Sequence, residues 1–272
     1  MLDGKDADSG PPPQTSPEPS MRDPLFDLTG KTALVTGASR GIGEAIARLL
    51  AAHGAHVIVS SRKQEACEAV VAAIRADGGS AQALAAHIGD PAAIDALFAQ
   101  LDERGLHVGL LVNNAAANPY FGPMLDMGLD AFHKTVDVNI RGYWYMTQQA
   151  AKRMPGGGAI VNIASVNGRR PAFGQGVYSF SKAAIISMTE AWAKELAGQQ
   201  IRVNAVLPGL TDTRFASALT SSPAIMKMML SLIPQQRVAQ PAEIAPAVLY
   251  LLSPASAYVT GVALPVDGGY LA

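Results

Sequence analysis

Apolar residues in this chain follow two alternating patterns. Short unbroken runs rich in Val, Ile, Leu and Ala predict buried strands at Lys31–Thr36, Ala55–Ser60, Leu106–Asn113, Ala159–Ala164, Ile201–Leu207 and Ala263–Val266, with a weaker strand at Ser80–Ala86. Between them, apolar residues recur at helical spacing, as at Ile42, Ala45, Ile46 and Leu49. This predicts helices over Gly41–Ala52, Lys63–Ala76, Pro91–Arg104, Asp130–Met154, Gly176–Gly198 and residues 241–252. Strands apolar on both faces, each followed by a helix, imply an α/β class with a parallel sheet covered on both sides. Tyr143, Trp144 and Tyr145 are consecutive on one predicted helix, so they diverge by about 100° each and cannot share one core. With Ile186 and Trp192 on the next helix, they predict an extra apolar face for a partner.

Composition narrows the picture. The chain has 272 residues, 49% hydrophobic and 16% charged, which fits one sizeable domain. Its first 24 residues differ: six are proline and few are apolar, so residues 1–24 are expected to be a disordered Pro-rich tail ahead of a folded domain at 25–272. The tail lacks the apolar core of a signal peptide, and Met21 is the expected start in the cell. A net charge of −1 without a basic tract argues against nucleic acid and anionic membrane. No apolar run reaches the roughly 18 residues of a membrane helix. The single cysteine, Cys67, fits a reducing cytoplasm and reads as a buried small residue rather than a nucleophile. The five histidines show no metal spacing, and no metal is implied.

Chemistry enters at the first strand–helix junction, Thr36-Gly37-Ala38-Ser39-Arg40-Gly41-Ile42-Gly43. Glycines after a strand let the backbone turn sharply and approach a pyrophosphate, and the helix start adds free N–H groups. That points to a dinucleotide on a single-domain Rossmann-type doubly wound sheet of about seven parallel strands. The second strand ends Ser60-Ser61-Arg62-Lys63, without the acid that binds a ribose 2′-hydroxyl; Arg62 and Arg40 instead suit a 2′-phosphate. NADP(H) is therefore favoured over NAD(H). The fourth strand ends in Asn113-Asn114-Ala115, where small side chains leave room for a flat ring.

Further along, Tyr178 and Lys182 lie four apart on a helix and point the same way, 13 residues after Ser165. A phenol beside an ammonium is a proton donor whose charged form is supported. With the dinucleotide motif, this suggests hydride transfer to a carbonyl.

Together these pieces, with Asn139, Pro208-Gly209 and Val266-Asp267-Gly268-Gly269, resemble the short-chain dehydrogenase/reductases in their compact, non-extended branch; the resemblance runs in order over about residues 26–270. It implies Tyr178 as acid/base, Lys182 lowering the phenol pKa and holding the nicotinamide ribose, and Ser165 bonding the substrate oxygen. Asn139 is implied to position a proton-relaying water. The expected cofactor contacts are Gly37, Ser39, Arg40, Gly41, Ile42, Gly43, Ser61, Arg62, Asn114, Ala115, Tyr178, Lys182, Pro208, Gly209 and Thr213. Where family members often carry an aspartate near the adenine, this chain has His87-Ile88.

Segment 213–235, with Met226, Met228, Met229 and Leu230, resembles a mobile substrate lid, and Tyr120 and Phe121 are expected on the opposite wall; both suit an apolar carbonyl substrate. Gln175 and Asn167 add polar contacts. The resemblance also implies a homotetramer. The competing reading is a dinucleotide-binding sensor or scaffold without turnover, which would be expected to lack the tyrosine–lysine pair; an epimerase or dehydratase would need a longer C-terminal region.

Overall fold

The computed structural model describes residues 23–213 and 223–272. Seven parallel strands form one sheet in the order β3-β2-β1-β4-β5-β6-β7: β1 (Thr32–Thr36), β2 (His56–Ser60), β3 (Ser80–Ala83), β4 (Val108–Asn113), β5 (Gly158–Ile163), β6 (Ile201–Pro208) and β7 (Ala263–Val266). The strand order reverses between β1 and β4. In such sheets the crevice at the carboxyl ends of those two strands is the natural ligand site.

Strand side chains alternate between two cores. Ala33, Val35, Leu110, Val112, Val161 and Val206 join a cluster with α1 (Gly41–Ala52), α2 (Gln64–Ala76) and α8 (Pro241–Leu252). Leu34, Leu111, Ile160, Val203 and Leu207 pack on the other face against α3 (Pro91–Glu103), α5 (Gly142–Ala151) and α6 (Gly176–Leu196). Burial on both faces explains why the strands read as continuous apolar runs. Local sequence marks helix starts. Asp90 caps α3, accepting from Ala92 N at 3.0 Å, with Pro91 in the first turn; Gln240 and Glu243 form a capping box on α8. The lone Cys67 is buried, with its Sγ 3.1 Å from Ser61 Oγ.

Three expectations need correction. The strand at Ser80–Ala86 ends at Ala83: beyond it Leu84 N and Ala86 N still donate to Val59 O and Ser61 O, while the Gln64 side chain donates to Ala83 O and accepts from Ala85 N. Asp23 and Pro24, assigned to the tail, begin a turn closed by Phe26 N donating to Asp23 O at 2.9 Å; the rest of that tail lies outside the described residues. The predicted helix Asp130–Met154 is not continuous: α4 (Leu129–Val136) passes through a π turn at Asp137–Arg141 into α5. The three aromatics after that turn do diverge. Tyr143 is fully buried, Trp144 is exposed, and Tyr145 stacks on Trp144 and donates to Asp95. Among the described residues, no helix is long and apolar enough to cross a membrane.

Candidate active site

The glycine turn is a cradle that admits no side chains. Gly37 and Gly41 hold φ of +63° and +58°, in the left-handed region that favours glycine. A Cβ on Gly37 would fall 2.7 Å from the Ala115 Cα, and one on Gly43 would collide with the Gly37 carbonyl and the Asn114 amide. Asn114 is the staple: its Nδ2 donates to Thr36 O at 2.9 Å and Gly37 O at 3.2 Å, while Thr36 Oγ1 accepts from the Asn114 and Ala115 amides. The side chain expected to meet a cofactor thus also shapes the turn. Asn114→Ala would strand two carbonyls of a tight turn. The expected result is a loss of about 2 kcal/mol, read as a fall of roughly 5 °C in Tm, together with weaker dinucleotide binding in a fluorescence titration.

Arg40 stands at the N-cap of α1 with extended backbone and makes no capping bond, and Arg62 lies exposed two residues beyond β2. Among the described residues, neither guanidinium is paired with a carboxylate. Ser61, between them in the expected contact set, turns its hydroxyl to Cys67. At the altered adenine position, His87 Nδ1 accepts from Gly89 N at 3.0 Å, so its side chain serves its own loop. The exposed arginines, without a carboxylate partner among the described residues, and the glycine turn fit a dinucleotide with an additional phosphate.

Ser165, Tyr178 and Lys182 converge beyond the end of β5. Ser165 caps a short 3₁₀ turn, its Oγ accepting from Asn167 N at 3.1 Å. Gly168, in the same turn, lies against the α6 backbone, where a Cβ would be 2.8 Å from the Lys182 carbonyl carbon. That approach seats Ser165 beside α6, and its side chain hydrogen-bonds Tyr178. Lys182 is 1% exposed, donates to Ile163 O at 2.8 Å, and lies 5.6 Å from the Tyr178 ring centroid.

Burial controls both proton affinities. Desolvation pushes the Tyr178 phenol up to about 12, offset in part by the Ser165 hydrogen bond, and brings the Lys182 ammonium down to about 7. Burial penalises both charges, and the ammonium rests on a carbonyl.

The π turn explains where Asn139 goes. Its Oδ1 accepts from Ala117 N at 2.8 Å, and its Nδ2 donates to Ala117 O and to Ser181 Oγ, the residue before Lys182. Asn139 thus ties the β4 loop, the helix break and α6 together. Behind it, Asn113 donates to Thr147 and Asn162, and Asn162 to Thr189; this buried chain crosses from β4 to α6. Sequence reasoning missed Asn162, Thr147 and Thr189; polar residues inside apolar runs were the available signal.

Other expected contacts close the cleft. Thr213 lies beside Gly41, whose Cβ would be 3.4 Å from Thr213 Cγ2. Pro208 ends β6, and Gly209 N donates to Val266 O, with its own Cα pressed on Asp267. On one wall, Gly122 N donates to Gly174 O and Asn118 Nδ2 to Gln175, leaving Phe121, Met124 and Phe173 exposed. Of the lid segment, residues 214–222 lie outside the described residues; α7 (Pro223–Ser231) shows Met228 exposed, while Ile233 beyond it is buried.

A family model described as enoyl-(acyl carrier protein) reductase matches residues 37–271. A dehydrogenase/reductase SDR family member 4 from Oryctolagus cuniculus is 38% identical over 252 residues, 92% of this chain and 96% of that protein. A 3-oxoacyl-[acyl-carrier-protein] reductase from Synechocystis is 39% identical over 89% of this chain and 97% of its own length. The crystal structure of a gluconate 5-dehydrogenase from Burkholderia cenocepacia, in complex with NADP and tartrate, superposes with a TM-score of 0.88 at 30% identity, covering 91% of this chain and 98% of that one. The glycine turn between β1 and α1, the tyrosine–lysine pair on α6 and these relationships lead to one conclusion: the chain belongs to the short-chain dehydrogenase/reductase family of oxidoreductases.

Proposed function

We propose that this protein transfers a hydride between NADP(H) and a carbonyl or secondary-alcohol substrate, with Tyr178 as acid/base. The observation that carries this reading is the Ser165–Tyr178 hydrogen bond beside a buried lysine, in the cleft that also holds the glycine turn. The turn Gly37–Gly43 would hold the pyrophosphate, Arg40 and Arg62 the 2′-phosphate, and Lys182 the nicotinamide ribose. When bound, NADPH supplies the hydride to the carbonyl carbon. The chain's own part is proton chemistry. Ser165 and Tyr178 donate hydrogen bonds to the substrate oxygen, where negative charge develops. Tyr178 then yields its proton, and a phenol held at about 12 stays protonated and ready to donate throughout the neutral range. In the oxidative direction the phenolate accepts a proton, with the Lys182 ammonium supporting its charge. Asn139 holds the loop through which Lys182 meets solvent protons.

The exposed Phe121, Met124 and Phe173 on the cleft wall favour an apolar carbonyl substrate over a small hydrophilic one. The test is NADPH consumption with ketones, aldehydes and 3-oxoacyl thioesters, using Tyr178→Phe as control. A panel in which only small hydrophilic ketones react defeats the apolar assignment. We place the protein in a reducing cytoplasm on its buried free Cys67.

Trp144 and Phe180, exposed on α5 and α6, favour assembly through these two helices into a homotetramer. Light scattering at micromolar concentration is expected to give about four times the 28.3 kDa chain mass; a monomer mass contradicts the assignment.

A further inference from the structure

Tyr143 heads the largest fully buried side chains among the described residues. It stands just past the π turn, where Gly142 lies so close to the Ile88 carbonyl that a Cβ would sit 2.5 Å away, and this contact brings the start of α5 under the strand ends. From there its hydroxyl donates to Ile163 O at 3.2 Å, the same oxygen that accepts from the Lys182 ammonium at 2.8 Å. Its ring centroid lies 5.3 Å from Lys182 Nζ, within cation–π range. Among the described residues, no carboxylate pairs with that ammonium.

A buried ammonium without an anion needs some other source of negative potential. Three surround it: the Ile163 carbonyl, the Tyr178 ring and the Tyr143 ring. We infer that Tyr143 is a positioning residue for Lys182, its ring holding the ammonium charge and its hydroxyl anchoring the carbonyl on which that ammonium rests. The inference rests on the reading of Tyr178 and Lys182 as the proton-handling pair. Weakening the ring's negative face makes the ammonium less favourable, so Lys182 gives up its proton at lower pH; in the NADP complex it then supports the Tyr178 phenolate less well. Tyr143 itself stays a neutral donor, because burial, followed by the neighbouring Tyr178, raises its own phenol pKa well above the ordinary value. The other nearby titratable groups are engaged elsewhere. Asp95 and Asp102 of α3 bind Tyr145 and Arg153, Asp137 of the π turn pairs with Arg141, and His87 of the β3–α3 loop accepts from Gly89.

The test replaces Tyr143 in the full chain with Phe and with mono-, di- and trifluorinated phenylalanine. The fluorinated rings keep the packing while draining the ring face of negative potential. Two readings are taken. One is the acid limb of kcat/KM for oxidation of a secondary alcohol with NADP. The other is the NMR titration of Lys182 Nζ in the dinucleotide-free protein, assigned against the same chain carrying Lys182→Met. Tyr143→Phe is expected to stay within ~0.3 pH unit of the unmodified chain, and the fluorination series to move the acid limb upward and the Lys182 midpoint downward, each by a total of ~0.5–1 unit at the trifluorinated ring. Midpoints that do not respond to fluorine, at unchanged Tm, overturn the role of Tyr143. If no alcohol reacts yet the Lys182 midpoint falls with fluorine, the role of Tyr143 stands and the reductase reading fails.

Discussion

Tyr178→Phe is expected to lower kcat for NADPH-dependent ketone reduction roughly 10³-fold, about 4 kcal/mol of transition-state stabilisation, while leaving NADPH binding within about twofold. The substitution removes one oxygen and nothing else from a ring already buried against α6. The ring keeps its place 5.6 Å from Lys182 Nζ, so the local cation–π contact and the fold survive. Two things are lost together: the phenolic proton proposed to reach the substrate oxygen beside Ser165, and the hydrogen bond between the two hydroxyls. A serine hydroxyl alone can donate to the developing alkoxide but does not surrender a proton near neutral pH. Steady-state turnover and a fluorescence titration with NADPH, run on the same preparation, separate chemistry from binding. Turnover above a tenth of the unmodified level would remove Tyr178 from the proposed role. Loss of NADPH binding in parallel would mean that the hydroxyl supports the cofactor site rather than the reaction.

The second large effect concerns cofactor choice. Arg62→Asp is expected to lower kcat/KM with NADPH about 10²-fold and to move the NADPH/NADH ratio by a similar factor toward NADH. The guanidinium lies exposed after β2 with no carboxylate partner among the described residues, so it is available to a phosphate without first breaking an ion pair. A charge-assisted hydrogen bond to phosphate contributes about 1.5–3 kcal/mol, and an aspartate adds repulsion where attraction was. The same carboxylate suits a ribose 2′-hydroxyl, which is why NADH suffers less. Arg40 remains in the variant and preserves some NADPH binding. An unchanged ratio would refute the assignment of Arg62 to the 2′-phosphate.

Much of this site was legible from residues alone, for a physical reason. Gly37, Gly41 and Gly43 are forced choices. Two hold a left-handed backbone, and the third admits no Cβ against the Gly37 carbonyl. Tyr178 and Lys182 are legible because a helix converts a spacing of four into one face. Ser165 is harder to read, since its partnership with Tyr178 crosses from a strand end to a helix; only its place in an ordered set of motifs exposed it. The break in the helix over 129–151 was invisible. A π turn has no compositional mark, and it exists here because Asn139, fully buried, takes both backbone groups of Ala117 and the Ser181 hydroxyl. The structural part played by Asn114 was hidden for the same reason: the partners of its amide, Thr36 and Gly37, are 78 and 77 residues away.

Hydrophobic periodicity, turn glycines and the tyrosine–lysine spacing by themselves determined the α/β class, the parallel sheet, and the candidate dinucleotide turn and proton-handling pair, because each reflects a constraint within a few residues. Tertiary structure alone decided the charge state of those groups. Burial raises the phenol and lowers the ammonium, and the Ile163 carbonyl and the Tyr143 ring take the place of an anion. Desolvation depends on everything packed around a group, and contacts between distant parts of the chain supply that packing.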